Sequence, residues 1–408
     1  MAPEFLTLKD IDIVGKTVFL RLDINSPIDP ETGQILDDTR IRAAAPTVKE
    51  LSKSRLVIGS HQSRPGKDDF TSLRAHAAVL RRYCGRNVKF IDDVMGPSAR
   101  AAIQELRNGE VLVLDNLRFC SEENIEAPAK QLVKTHLVRR LAPLFDVFVN
   151  DAFAAAHRSQ ASLVGFAELM PSAAGLIMEK EIKNISGILQ NPRRPCVYLL
   201  GGVKVSDRVA VIENALKSQK VDYVLLGGLL GEFFLKAAGF NLGVENEKKL
   251  QEHLKFLDKA RSILASNKDK IVLPVDLAVN REGERVDLAL KDFPVDEVIM
   301  DIGIETTAKY SSILKNAGSV ITDGPLGVFE YQAFNFGTKG VLEAMAESKA
   351  FTLAGGGHVA GALEILGLAD KISHISTGGG AMLALLAGDP LPAVEALKRS
   401  AKRFKGKL

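Results

Sequence analysis

The sequence predicts an α/β protein built from two doubly wound parallel-sheet domains joined by a long helix. Three observations predict it. Short β-branched runs recur between amphipathic helical stretches along the whole chain, the pattern of parallel strands covered on both faces by helices. The two halves put different residues at the ends of those runs, arginine in the first and glycine in the second. Between the halves a long helical pattern stops at a proline-bearing break. At 408 residues, 46% of them hydrophobic, the chain is too long for one ordinary core and sized for two.

In chain order, the first half carries the runs "KTVFLRLD", "RLVIGS", "NVKFID", "EVLVLD" and "DVFVND". In "FLRLDINSPI" apolar and polar residues alternate, so Leu20, Leu22 and Ile24 share one face of a strand and Arg21, Asp23 and Asn25 the other. The segment "MPSAAGLIMEKEIKNISGILQNPRRP" is the expected connector. The second half follows with "PCVYLLGG", "DYVLLGG", "KIVLPVDLAV", "EVIMDIG", "SVITDG" and "AFTLAGGG", all expected in one mostly parallel, Rossmann-like sheet. The expected boundaries are residues 1–172 for the first domain, 173–191 for the connecting helix and 192–389 for the second domain. A last amphipathic helix follows the proline break in "GDPLPAVEALKRSAKRF", within 390–408.

A net charge of +3 with no clustered basic stripe argues against a nucleic-acid partner. No apolar run has the length to span a bilayer, and "MAPEFLTLKD" lacks the basic flank and apolar stretch of a secretory signal, so a cytoplasmic protein without a membrane partner is expected. Cys84, Cys120 and Cys196 are far apart and form no CxxC, which fits reduced structural thiols and suggests no zinc site.

In open parallel sheets ligands collect at the carboxyl ends of strands. There the first half offers Asp23 and Asn25, then His61 and Arg64, then Arg118, then His157 and Arg158, with Arg40 of "DDTRIR" opening a helical stretch. Residues 1–175 hold 15 of the 23 arginines but only 8 of the 30 lysines. Arginine's planar fork suits phosphate and carboxylate, so these ends read as a basic cup for a small acid. The second half offers "LLGGVKVSDR", "LLGGLLG", "TDGPLGVFE", "LAGGGHVAGAL" and "ISTGGGA". Glycine admits a bulky polyanion close to the backbone, and N–H groups at the following helix starts cradle phosphates, which reads as a nucleotide site.

Two familiar motifs are excluded. "VGKT" has Asp10 where a P-loop needs its first glycine, and a strand follows it. "GGGHVAG" imitates a dinucleotide-binding turn, but the next strand ends in "STGGGA" where an acidic ribose ligand belongs. A nicotinamide-dependent dehydrogenase using that turn, and a phosphometabolite-binding protein without catalysis, are the rival readings.

Together "RLDINSPI", "DDTRIRAAAPT", "GSHQSRP", "LDNLRF", "NDAFAAAHRS", "LLGGVKVSDR", "DGPLGVFE", "AGGGH" and "STGGGA" resemble, in order and over almost the whole chain, the phosphoglycerate kinase family. The resemblance implies reversible transfer of the acyl phosphoryl of 1,3-bisphosphoglycerate to ADP, giving 3-phosphoglycerate and ATP, by direct in-line transfer on domain closure. It also implies that the C-terminal segment returns to the first domain; a monomer is the expected state.

Carried over by resemblance, Arg21, Asp23, Asn25, Arg40, His61, Arg64, Arg118, His157 and Arg158 bind the glycerate substrate, and Arg40 and Lys204 are catalytic. Lys204, Gly324, Gly355, Gly356, Gly357, His358, Gly378 and Gly379 are implied around the nucleotide phosphates and Glu330 on the ribose. Mg²⁺ enters with the nucleotide, and no residue is assigned as its dedicated ligand. Three positions depart from the family pattern. Arg208 replaces a lysine, Asp323 an asparagine, and His358 the aspartate that contacts nucleotide magnesium. His358 and "HISTGGGA" are similar to the archaeal branch. Imidazole is a poor ligand for so hard an ion, so His358 is expected on the phosphates and Asp323 is the candidate carboxylate.

Overall fold

The structure, a computed structural model, describes residues 4–404. The chain divides into two compact units, one running to Lys183 and including the segment from Pro390, the other Asn184–Asp389. The division falls inside the Leu176–Gln190 helix.

The strands of the first unit are β1 (Leu6–Thr7), β2 (Thr17–Arg21), β3 (Arg55–Gly59), β4 (Val88–Phe90), β5 (Val111–Val113), β6 (Val147–Asn150) and β7 (Ser172–Ala174). They form one sheet in the order β1-β7-β6-β2-β3-β5-β4, with every pairing parallel. Central β2 is buried on both faces, and its alternation divides the core. Val18, Leu20, Leu22 and Ile24 enter the apolar cluster with Ile41 and Val48 of the Thr39–Glu50 helix. Phe19 points the other way, its ring 4.9 Å from that of Phe145 and 4.7 Å from that of Phe166. Each such fully buried side chain contributes roughly 1.5–3 kcal/mol. Gly59 on β3 is glycine for packing, since a Cβ there would come within 2.7 Å of the Phe19 ring.

Asp151, just past β6, fixes where the long helix begins. It accepts from Met178 N at 3.0 Å and from Thr47 Oγ1, in the acceptor role that exposed first-turn amides require. The Pro392–Phe404 helix packs on this unit through Ala393, Ala396 and Leu397. Ser400 Oγ donates to Met170 O at 3.1 Å, and Arg399 Nε lies 2.8 Å from Glu168.

The second unit contributes β8 (Cys196–Leu200), β9 (Tyr223–Leu226), β10 (Ile271–Val272), β11 (Asp276–Arg281), β12 (Glu284–Ala289), β13 (Val298–Ile302), β14 (Ser319–Asp323), β15 (Phe351–Gly355) and β16 (His374–Ile375). Six of them form a parallel sheet in the order β10-β9-β8-β14-β15-β16. The chain winds outward from β8 to β10, then returns beside β8 at β14 and winds outward again. The carboxyl ends of β8 and β14 therefore flank a switch point.

One expectation is corrected. "DLAV" and "EVIMDIG" do not join the parallel sheet; β11 and β13 pair antiparallel with each other, and β12 with β11, as a separate three-stranded sheet. The reason is local. Glu282 and Gly283 both have positive φ, 54° and 93°, the backbone of a two-residue hairpin turn, and so short a link can only make an antiparallel neighbour.

Candidate active site

In the first unit the chain leaves β2 at Arg21 and runs on through Asp23 and Asn25. Asp23 Oδ1 accepts from Arg40 Nη1 at 3.1 Å and from Asn25 N at 3.2 Å. Burial works to raise the Asp23 pKa, but the Arg40 and Arg21 guanidiniums beside it and the Asn25 N–H outweigh that and hold it below the ordinary value. The carboxylate is ionised at neutral pH. Arg40 sits in the first turn of the Thr39–Glu50 helix with its side chain 38% exposed, so the guanidinium is anchored at one end and open to a ligand.

Asn25 Oδ1 accepts from Ser63 N at 2.7 Å, and Ser63 O accepts from Arg118 Nη1, which strings the ends of β2, β3 and β5 together. His61 follows β3 and is 6% exposed. Its Nδ1 lies 3.1 Å from Arg21 Nη2. A guanidinium only donates, so Nδ1 accepts and the proton of the neutral ring is on Nε2. Burial, reinforced by Arg21, Arg118 and Arg40, pushes the His61 pKa well below its ordinary value, and Asp23 offsets only part of that. His61 is a neutral donor.

Arg64, Arg118 and Arg158 line one open cavity of about 640 Å³ with Gln160, Ser121 and Asn124. Burial lowers the Arg118 pKa to about 10, helped by Arg21 and Arg158, so it stays charged. Arg118 Nε, Gln160 Oε1 and the neighbouring His157 Nδ1 are buried polar atoms without a partner. Such atoms call for a ligand or water. Arg158 reaches Glu126 at 3.3 Å in a half-exposed pair that a stronger anion could displace.

Arg21 is a correction. It does not face the cup: it is fully buried, with Nε donating to Ser162 Oγ at 2.7 Å, Nη1 to Leu22 O, and Nη2 3.7 Å from the equally buried Glu123. Because β2 is buried on both faces, its polar side faces a second core rather than solvent. Arg21 acts beneath His61, fixing the ring's tautomer.

In the second unit one cleft of about 1120 Å³ is lined by Lys204, Arg208, Asp323, Gly324, Glu330, Gly356, Gly357, His358 and Gly379, among others. Lys204, His358 and Glu330 are exposed there. Lys204 is the N-cap of the Val205–Lys217 helix, Gly356 that of the Gly357–Ile365 helix and Gly378 that of the Gly379–Ala387 helix, so three sets of free N–H groups converge. Gly356 has φ +82°, and a Cβ on it would lie 3.2 Å from Asp323 Oδ1.

Asp323 ends β14 and pairs with Arg208 at 2.5 Å, both nearly fully buried. Burial raises the Asp323 pKa, against the pull of Arg208 and Lys204. Its Oδ2 and Arg208 Nε have no partner. Among the described residues no group of three or more His, Cys, Asp or Glu could hold a metal. Asp323 Oδ2, an unpartnered carboxylate oxygen beside the turn at Gly356, is an oxygen donor of the kind a hard divalent cation such as Mg²⁺ takes.

Gly355 and Gly378 do not line the cleft. A Cβ on Gly355 would collide with Met382 Cε, so that glycine serves packing, while Gly378 N bonds Ser376 Oγ at 3.3 Å. Sequence reasoning also missed Asp301 and Glu232 on the cleft wall. Burial pushes Asp301 up to about 6 although Arg285 Nη1 donates to it at 2.8 Å. Glu232 had a signal, a lone acid in the apolar run "GLLGEFFL".

The sequence profile for phosphoglycerate kinase matches residues 8–389. The phosphoglycerate kinase of Methanothermobacter thermautotrophicus is 48% identical over 401 residues, 97% of each chain. The chain belongs to the phosphoglycerate kinase family. The phosphoglycerate kinase of Thermoplasma acidophilum is 42% identical and covers 99% of this chain over its own full length. Among solved structures, phosphoglycerate kinase from Pyrococcus horikoshii OT3 matches with a TM-score of 0.90 at 42% identity, covering 98% of this chain and 100% of its own. The enzyme from Coxiella burnetii gives 0.82 at 34%, covering 97% and 99%. The two α/β parallel-sheet units are thus those of a phosphoglycerate kinase, a phosphotransferase that reversibly moves the acyl phosphoryl of 1,3-bisphosphoglycerate to ADP.

Proposed function

We propose a division of labour for that reaction: the arginine cup of the first unit holds 3-phosphoglycerate or 1,3-bisphosphoglycerate, and the glycine-lined cleft of the second holds ADP or ATP. The observation that carries this reading is the distribution of unpartnered buried polar atoms. Arg118 Nε and Gln160 Oε1 are found in one cavity, Arg208 Nε and Asp323 Oδ2 in the other, each amid groups suited to its ligand. Arg64, Arg118 and Arg158 take the phosphate and carboxylate charges, Asn25 and neutral His61 position the glycerate, and Asp23 aligns Arg40. Lys204, Gly324, Gly356, Gly357, His358 and Gly379 surround nucleotide phosphate, and Glu330 takes the ribose.

In the ATP-forming direction the attacking oxygen belongs to an already ionised phosphate and the leaving group is a carboxylate of low pKa. No general base is needed. Catalysis rests on in-line positioning and on neutralising charge on the moving phosphoryl, the tasks of Arg40 and Lys204. Mg²⁺ bound with the nucleotide supplies further positive charge, with Asp323 Oδ2 as the protein oxygen available to it or to its water. Because donor and acceptor belong to separate units, transfer requires the units to close on the two ligands and exclude water. The chain acts as a monomer in the cytoplasm; among the described residues no single helix is long and apolar enough to cross a membrane.

A coupled assay with 3-phosphoglycerate, ATP and Mg²⁺ tests the reading, and turnover is expected. Lys204→Ala is expected to weaken ADP binding while leaving 3-phosphoglycerate binding intact. Loss of both affinities together would contradict the division.

A further inference from the structure

Glu232 belongs to the Gly228–Ala237 helix, four residues after Gly228 and so on the same helix face, and both residues line the second cleft. It is 5% exposed, and its Oε2 is buried without a hydrogen-bond partner. The nearby cation, Lys249, gives its amine to Ile299 O at 3.3 Å rather than to this carboxyl. Burial, opposed only by Lys249, pushes the Glu232 pKa up to about 7. A buried carboxyl with a free oxygen is costly where leucine would fill the space.

Its position along the sheet suggests what it meets. Glycine turns follow β8, β14, β15 and β16, and the one after β9 that leads to Glu232 already gives its amides to protein carbonyls, Gly228 N to Leu326 O at 2.8 Å and Leu230 N to Gly202 O at 3.3 Å; β9 lies on the opposite side of β8 from β14. The cleft wall also carries the apolar Leu229, Leu277, Ile299 and Met300, with Lys249 and Glu252 as charged neighbours in the lining. A slot with aliphatic groups and one unpartnered acceptor, displaced from the phosphate end, has the chemistry of a base site: ring faces against aliphatic groups, one edge read by a polar atom.

We propose that Glu232 is a specificity-determining residue, its free carboxyl oxygen accepting a hydrogen bond from the exocyclic amine of an aminopurine nucleotide. This rests on the reading that the second cleft holds the nucleotide. Adenine offers such an amine on C6 and guanine on C2; hypoxanthine offers none. A carboxyl group retains an acceptor oxygen whether or not it is protonated.

The test compares dissociation constants of ADP, GDP and IDP at saturating Mg²⁺ for the wild type, Glu232→Gln and Glu232→Leu. All three nucleotides carry the same ribose and phosphates. The wild type is expected to bind ADP or GDP about 10-fold more tightly than IDP, and the arm that shows the gap identifies the base whose amine is read. Glu232→Gln, whose amide oxygen still accepts, is expected to keep most of that gap. Glu232→Leu is expected to shrink it to roughly twofold while preserving IDP affinity, which also reports that the cleft is folded. A wild type without the gap, or a gap unchanged in Glu232→Leu, overturns the inference and leaves the nucleotide cleft standing. If the wild type binds none of the three, the cleft reading falls as well.

Discussion

Arg40 is anchored through one nitrogen to Asp23 and is 38% exposed, the posture of a group that waits for charge to develop. Arg40→Ala should lower kcat by on the order of 10²-fold with a smaller change in KM, read from steady-state kinetics in both substrates. Lysine should not restore it, because a point charge lacks the second planar donor. His76 provides a pH prediction. It is buried, its Nε2 lies 3.0 Å from Gln62 Oε1, its Nδ1 has no partner, and burial lowers its pKa to about 4. The unfolded chain takes up that proton near pH 6.5 and the folded one only near 4, so stability falls as pH drops through this window. Urea denaturation should show the wild type losing up to about 2 kcal/mol more than His76→Gln between pH 7 and 5. Glu232 has the opposite sign. Its folded pKa of about 7 lies above the unfolded value of about 4.5, so its burial becomes progressively destabilising as pH rises from about 4.5 to 7 and stays fully so above 7. Glu232→Leu should raise Tm at pH 8 and leave it nearly unchanged at pH 4.5.

At the scale of elements, the strand-to-helix turn after β15 carries the cleft's backbone chemistry. Gly356→Ala would force a side chain into φ +82° against Asp323, and should raise the ADP dissociation constant at least about 10-fold while leaving 3-phosphoglycerate affinity unchanged. Which elements were legible follows from their physics. The strand-end arginines and glycines stood out because side-chain type and position along a strand are both visible in sequence. Arg21 was misassigned because alternation reports two faces but not whether the second meets solvent or another core, and Ser162 and Glu123, its partners, lie more than 100 residues away. Gly355 and Gly378 were grouped with Gly356 because consecutive glycines look alike in sequence; a Cβ built on Gly355 runs into Met382, and no sequence pattern reports that neighbour. The β11–β12 hairpin was hidden because "REGE" holds none of the usual Asn-Gly or Asp-Gly signals, and Glu282 takes the left-handed position.

At the scale of the whole molecule, the account depends on two ligand sites belonging to different folding units, each with its own sheet and its own core. Separate units predict separable affinities, with any coupling measured only when both ligands are present. The most direct measurement is calorimetric titration of ADP with Mg²⁺ and, separately, of 3-phosphoglycerate into the wild type, Arg118→Ala and Lys204→Ala. The account predicts that Arg118→Ala loses 3-phosphoglycerate binding by about 10-fold or more with ADP binding intact, and that Lys204→Ala does the reverse. If either substitution weakens both ligands equally, with each variant's Tm within a few degrees of the wild type, the assignment of one substrate to each unit is wrong.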